Sequence, residues 1–265
     1  MAAFGAGNLL AAFNASAVRV YRYSGSSGTV ADSFSIVTSN RTAGVTFDGT
    51  DIIASSHASD KVYKFSGFSN TVKDSFVPDG SLRGVTWDGT NLLGVITGAN
   101  QIVKYSGFST TRLDSIATQS TGTYDIVWSK GNLYSVDYGT DKAYAHSGFS
   151  STIIDSFSIV GLTAVGITTD GVDFYVFDLQ YGGTSSNRVV HYSGFSSTVI
   201  SSAVSIGGGF RGIDWDNYDT RLNGATTSTS TSTTTTTTTS TSTSTSTTTT
   251  LPVVITAMDT VVKYW

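Results

Sequence analysis

Cysteine is absent from this chain, so neither a disulfide nor thiolate chemistry can hold its fold or serve its function. Charge is scarce as well. Only 13% of the 265 residues are charged, and 15 Lys and Arg face 19 Asp and Glu, for a net charge of −4. Binding to phosphate backbones needs a dense basic field, so nucleic acid is excluded as the main partner. No apolar run approaches 18 residues, which excludes a membrane-spanning helix. A G-x-S-x-G nucleophile elbow is also missing. What remains is 39% hydrophobic, 12% aromatic and rich in glycine, with 28 copies against two prolines, a composition suited to many tight hairpins. Low charge with abundant Ser, Thr and Gly fits an extracellular or virion surface. The N-terminal Met1-Ala2-Ala3-Phe4 has no basic region and aligns with the repeat described next, so it reads as structure rather than a signal peptide.

An internal repeat organises the chain. One marker is Ser-Gly after an alternating strand, as in Val62-Tyr63-Lys64-Phe65-Ser66-Gly67 and Ile102-Val103-Lys104-Tyr105-Ser106-Gly107. The serines of this marker, Ser24, Ser66, Ser106, Ser147 and Ser193, are spaced by 42, 40, 41 and 46 residues. A second marker is Gly84-Val85-Thr86-Trp87-Asp88-Gly89-Thr90-Asn91, with counterparts at 44–51, 126–132, 166–173 and 212–216. Each unit reads as four short strands, a to d, with Asp-Gly and Gly-Asn hairpin signals between a and b. Four antiparallel strands every 40 to 45 residues mark a propeller blade. The fold class is therefore all-β, a β-propeller of four-stranded antiparallel blades.

The ends set the blade count. Phe4–Leu10 aligns on Trp87–Leu93, so the first blade opens with the end of its own strand a. Val254–Tyr264 aligns on Val95–Tyr105 as a b–c hairpin. Counting Phe210–Asp216 as strand a of a further unit gives six blades, the preferred count. In the five-bladed alternative, Phe210–Asp216 completes the first blade. The expected organisation is blades over 1–224, a Ser/Thr-rich linker over 225–252 and a C-terminal hairpin over 253–265.

Residues Thr226 to Thr250 are all Ser or Thr, a solvated linker by composition and a candidate for O-glycosylation at positions such as Thr226, Thr231 and Thr250. Fully extended it could reach about 80 Å. The hairpin beyond it, with Val253, Val254, Ile255, Val261, Val262, Tyr264 and Trp265, is expected to dock, either closing its own ring or pairing with a neighbouring molecule. Asn14-Ala15-Ser16 and Asn40-Arg41-Thr42 fit the N-glycosylation pattern.

Residues that recur in nearly every blade read as structural. This covers the a–b turn acids Asp48, Asp88, Asp170 and Asp216, and Asp32, Asp74, Asp114 and Asp155 in strand d. It covers the Ser-Gly serines too. The c–d phenylalanines Phe68, Phe108, Phe149 and Phe195 read as packing on the next blade, or else as a self-associating aromatic ring. His146 and His191 are assigned to the strand-c position of Lys64 and Lys104, facing outward, and no metal site is expected. Departures from the repeat are the better binding candidates. On the face that carries the d–a and b–c loops these are Arg41, His57, Arg83, Tyr124, Asp125, Asp137, Tyr138, Asp178, Tyr181 and Arg211. Arg83 and Arg211 occupy equivalent positions before strand a, where other blades have Ala43, Tyr124 and Val165. Arg, Asp and Tyr around a rim suit a glycan. The longest b–c loop, Asp178–Asn187, is the expected recognition insert.

The segment Gly-Val-Thr-Trp-Asp-Gly-Thr-Asn-Leu-Leu resembles the NHL, SMP-30-type and YVTN-like propellers. The units joined to Ser/Thr runs resemble uncharacterised phage and environmental repeat proteins over about 240 residues. The resemblance implies the architecture and leaves function open. SMP-30 lactonases hold a divalent metal on carboxylates and Asn, and no such set can be assembled here residue by residue. The expectation is a non-enzymatic structural or adhesive surface protein of a virion or extracellular filament, without cofactor. It would self-associate or meet other surface proteins, and hold glycans. A metal-dependent propeller hydrolase or lactonase is the alternative.

Overall fold

A computed structural model describes residues 7–13, 18–25, 28–36, 42–96, 98–159, 163–179, 188–204 and 210–216. The chain divides into two units, Met1–Thr227 and Ser228–Trp265, and every described residue belongs to the first. The Ser/Thr tract and the terminal hairpin, with Val253, Val254, Ile255, Val261, Val262, Tyr264, Trp265, Thr226, Thr231 and Thr250, lie outside the described residues, as do Asn14 and Asn40. Among the described residues no helix is long and apolar enough to cross a membrane.

The first three strands are β1 (Leu9–Phe13), β2 (Arg19–Tyr23) and β3 (Val30–Ser35). The second blade follows as β4 (Thr42–Phe47), β5 (Ile52–Ser56), β6 (Lys61–Phe65) and β7 (Val72–Phe76). The third is β8 (Leu82–Trp87), β9 (Leu92–Ile96), β10 (Gln101–Tyr105) and β11 (Arg112–Ala117). The fourth is β12 (Thr123–Ser129), β13 (Asn132–Asp137), β14 (Lys142–His146) and β15 (Ile153–Ser158). The fifth is β16 (Ala164–Thr169), β17 (Phe174–Asp178), β18 (Arg188–Tyr192) and β19 (Val199–Val204), and β20 (Phe210–Trp215) ends the series.

Four sheets are built from consecutive strands, but the first has the order β20-β1-β2-β3. The propeller therefore has five blades, not six. Phe210–Asp216 does not begin a further unit; it supplies the inner strand that the first blade lacks. β20 pairs with β1 from Leu9↔Trp215 to Phe13↔Phe210, and the inner strands β4, β8, β12, β16 and β20 pack against one another in a closed ring. Length alone suggests six because the first blade is assembled from two distant segments, β1–β3 and β20, which a repeat count takes as separate units.

Burial falls from the axis outward. Strands β4, β5 and β9 are buried at every position, β6 and β10 mix buried with partly buried positions, and β7 is mostly exposed. An inner strand is covered on both faces by its neighbours and so needs continuous apolar or small residues; an outer strand meets water and carries Ser and Asp. The apolar core lies between blades. One cluster joins Leu10, Val20 and Phe34 of the first blade to Val45, Ile52 and Phe65 of the second, with Phe68 packed against it. Ring contacts repeat this joint: Phe34–Phe68, Phe76–Phe108 and Phe157–Phe195 each have centroids 4.9 Å apart. The c–d phenylalanines thus wedge between blades.

The Ser-Gly marker has a local cause. Its glycines Gly25, Gly67, Gly107, Gly148 and Gly194 all adopt φ of 56–60°, a left-handed turn that favours glycine. In each blade the glycine N–H donates to the side chain that ends the a–b turn, namely Asn8, Asp51, Asn91, Asn132 or Asp173, at 2.8–3.5 Å. Two turns at the same end of a blade are tied by one hydrogen bond, which explains why both markers recur together.

Candidate functional site

The residues before the inner-strand glycine sit on a distortion shared by all five blades. Register shifts occur between Thr42 and Gly44, Leu82 and Val85, Thr123 and Asp125, Ala164 and Gly166, and opposite Ala12 and Phe13 at Arg211. Each shift is a β-bulge, which adds a residue to one strand and re-aims its side chain. The five residues at these bulges, Ala43, Arg83, Tyr124, Val165 and Arg211, converge on one cavity of about 550 Å³ at the mouth of the central channel. His57 and Tyr138 from b–c loops complete its lining, with Thr42, Thr163 and the apolar Leu179.

Two cations meet at one ring in this mouth. The Arg83 guanidinium lies 4.6 Å from the Tyr124 ring centroid, and Arg211 Nη1 donates to the Tyr124 hydroxyl at 3.4 Å. Tyr138, 42% exposed, stands edge-on to Tyr124 with centroids 6.1 Å apart. His57 Nδ1 shares a hydrogen bond of 2.6 Å with Ser81 Oγ. Among the described residues no acidic side chain lines the cavity and neither arginine forms a salt bridge.

Immediately below, the backbones touch. A Cβ on Gly212 would stand 2.6 Å from Gly44 Cα, and one on Gly84 would stand 2.4 Å from Asp125 Cα. Five inner strands can approach this closely only because four of the five positions, Gly44, Gly84, Gly166 and Gly212, are glycine. The fifth is Asp125, which is 1% exposed and whose Oδ2 accepts the Ile167 N–H at 3.1 Å. Burial pushes its carboxyl well above the usual range, and the nearby Asp214 charge adds to this; the N–H groups of Ile167, Ile126 and Ile213 only partly oppose it. One level deeper, where other blades have Thr46, Thr86 and Thr168, stands Asp214. It accepts hydrogen bonds from Thr46 Oγ1 (2.8 Å), the Phe47 N–H (2.9 Å) and Thr168 Oγ1 (3.2 Å), joining the first blade to both neighbours.

Of the candidates read from sequence, His57, Arg83, Tyr124, Tyr138 and Arg211 come together in the mouth. Asp125 lies beneath it. Asp137 and Asp178 are buried elsewhere. Asp137 accepts the N–H groups of Gly139 and Thr140 and the hydroxyls of Ser120 and Thr123, so it organises its b–c turn. Asp178 accepts the Thr163 N–H and pairs with Arg188 at 3.5 Å. Arg41, Tyr181 and the insert residues 180–187 lie outside the described residues.

His146 departs from expectation. It is fully buried, one residue beyond the Lys64 position, where other blades place Phe65, Tyr105 and Tyr192. It bonds Ser135 Oγ at 3.0 Å, and burial lowers its pKa, opposed by the bond to the Ser150 carbonyl. His191 does hold the Lys position, 3.0 Å from Asp173. Sequence reasoning missed Asp214, Thr163 and Leu179. Asp214 was findable as the one acid at a position otherwise held by threonine or valine. Among the described residues no three His, Asp or Glu side chains gather as a metal site would require.

No family model and no curated protein sequence matches the chain. Solved structures do. A chain of a nidogen/laminin complex is 15% identical, covering 79% of this chain and 98% of its own, with a TM-score of 0.55. A protein of unknown function from Bacteroides caccae is 10% identical, covering 80% and 99%, with a TM-score of 0.53. Glutaminyl cyclase from Myxococcus xanthus is 16% identical, covering 65% and 69%, with a TM-score of 0.48. Likeness at such identities concerns the fold alone and carries no link to NHL, SMP-30 or phage families. The chain has a β-propeller fold, closed here from five blades.

Proposed function

We propose that this chain is a non-enzymatic recognition protein of a surface, virion or extracellular, that holds glycans in the mouth of its propeller. The observation that carries this reading is the convergence of five bulge residues, one per blade, on a single open cavity with arginine and tyrosine at its rim. Tyrosine faces pack on sugar rings, and guanidinium groups pair with sugar oxygens. The acids read as candidates on this face, Asp125, Asp137 and Asp178, are engaged by backbone N–H groups, hydroxyls or Arg188, which disfavours the hydrolase alternative. Self-association through the terminal hairpin belongs to the same reading. A glycan array probed with the full chain tests it. Binding lost in Tyr138→Ala is expected, and no glycan bound at all would overturn it. For self-association, the same oligomeric state in solution for the full chain and for one ending at residue 225 would remove that part.

A further inference from the structure

Resting on the glycan-binding reading, we infer that the mouth selects a carboxylate-bearing saccharide, such as a uronate, over its neutral counterpart. The fold brings two guanidinium groups to a single tyrosine: Arg83 over its face and Arg211 at its hydroxyl. Like charges so placed repel each other unless an anion lies between or above them. Among the described residues neither is matched by an acid, and none that lines the cavity is a carboxylate. Among the described residues at this level of the axis the acid is Asp125, which is turned to backbone donors beneath the mouth rather than toward the arginines, and burial favours its neutral form.

The chemistry of the cations narrows the class. A guanidinium is a planar fork that pairs with both oxygens of a carboxylate, and Arg83 already rests on Tyr124, 4.6 Å from its ring centroid. The exposed ring of Tyr138, set edge-on to Tyr124, offers an apolar face beside that charge. A sugar ring carrying a carboxylate supplies both complements at once: C–H groups for the tyrosine and a planar anion for the fork. The two arginines occur at the same bulge position in two of five blades, where the other blades place Ala43, Tyr124 and Val165. They are therefore not turn-formers imposed by the repeat.

Calorimetric titration of the full chain tests this with galacturonate, glucuronate and sialate oligosaccharides, their carboxyl-reduced forms and sulfated analogues. At least one carboxylated ligand is expected to bind about tenfold or more tightly than its reduced form, the discrimination of one charge-assisted pair. Arg83→Met and Arg211→Gln are each expected to abolish that preference while leaving the melting temperature unchanged. Equal binding of acidic and reduced forms would overturn the inference and leave the glycan reading standing. Tighter binding of sulfated analogues would overturn the carboxylate assignment. Failure of every glycan would overturn both.

Discussion

The a–b turn occurs in the third blade as continuous chain and in the first blade as two chain segments that meet. In the third, Asp88 Oδ1 accepts the N–H groups of Thr90 and Asn91, and the Asp88 N–H bonds the Asn91 carbonyl at 3.0 Å. In the first, Asp216 Oδ1 accepts the Asn8 N–H, its Oδ2 accepts Asn8 Nδ2 at 3.0 Å, and the Asp216 N–H bonds the Asn8 carbonyl at 3.0 Å. The hydrogen bonds correspond although 208 residues separate the partners. Ring closure thus reuses the turn chemistry of the repeat without its covalent link. The electrostatics differ. Burial raises the Asp88 pKa, but Lys104 at 2.7 Å and the turn N–H groups outweigh it and the net shift is downward. Burial likewise raises that of Asp216, and there Asn8 and the more distant Arg22 do not overcome it. Arg22 sits at the Lys104 position yet pairs with Asp32 at 3.6 Å.

The severest way to break this comparison is to remove each acid. Asp216→Ala is expected to cost about 3 kcal/mol, because it leaves two donors of Asn8 unpaired at the seam of the ring. Asp88→Ala, in a turn still held by the chain and near solvent, should cost about 1 kcal/mol. Urea unfolding of both variants would settle the ranking, and equal losses would refute the view that the seam, which lacks the covalent link, depends more on its acid.

Opposite pH responses come next. The folded pKa of Asp216 lies above its unfolded value, so its contribution is fullest below the ordinary carboxylate range, about 3.9, and is lost as pH rises through the folded pKa. That of Asp88 lies below, so its contribution is present above the ordinary range and lost as pH falls through the folded pKa. Asp216→Asn should flatten the stability gained on acidification from neutrality, and Asp88→Asn the loss in stronger acid. Each slope is bounded by about 1.4 kcal/mol per pH unit.

Arg22→Lys sharpens the comparison by placing the residue of the other blades beside Asp216. NMR titration should find the Asp216 carboxyl at a lower pKa, with stability changed by less than about 1 kcal/mol. The smallest effect belongs to the mouth. Arg83→Met and Arg211→Gln, partly exposed at bulges and outside the Asn8–Asp216 turn, should alter stability by no more than about 0.5 kcal/mol.

The mouth was only partly legible. Arg83 and Arg211 stood out because they break a repeat, and repeats make departures visible. Asp125 also departs, but strand alternation alone does not tell a rim residue from one turned into the axis. The bulge beside it decides that, and a bulge leaves no mark in residue type. His146 was misplaced for a related reason: a polar side chain at a buried aromatic position is intelligible only once Ser135 and the Ser150 carbonyl are seen to satisfy it.

By itself the sequence determined the blade: four strands, the glycine turn tied to an Asn or Asp, and the aromatic wedge, all set by contacts within one repeat or to the next. Tertiary structure alone decided that there are five blades. That number depends on how closely inner strands can approach at the axis, and on Asp216 finding Asn8 across the whole chain, distances that no local pattern encodes.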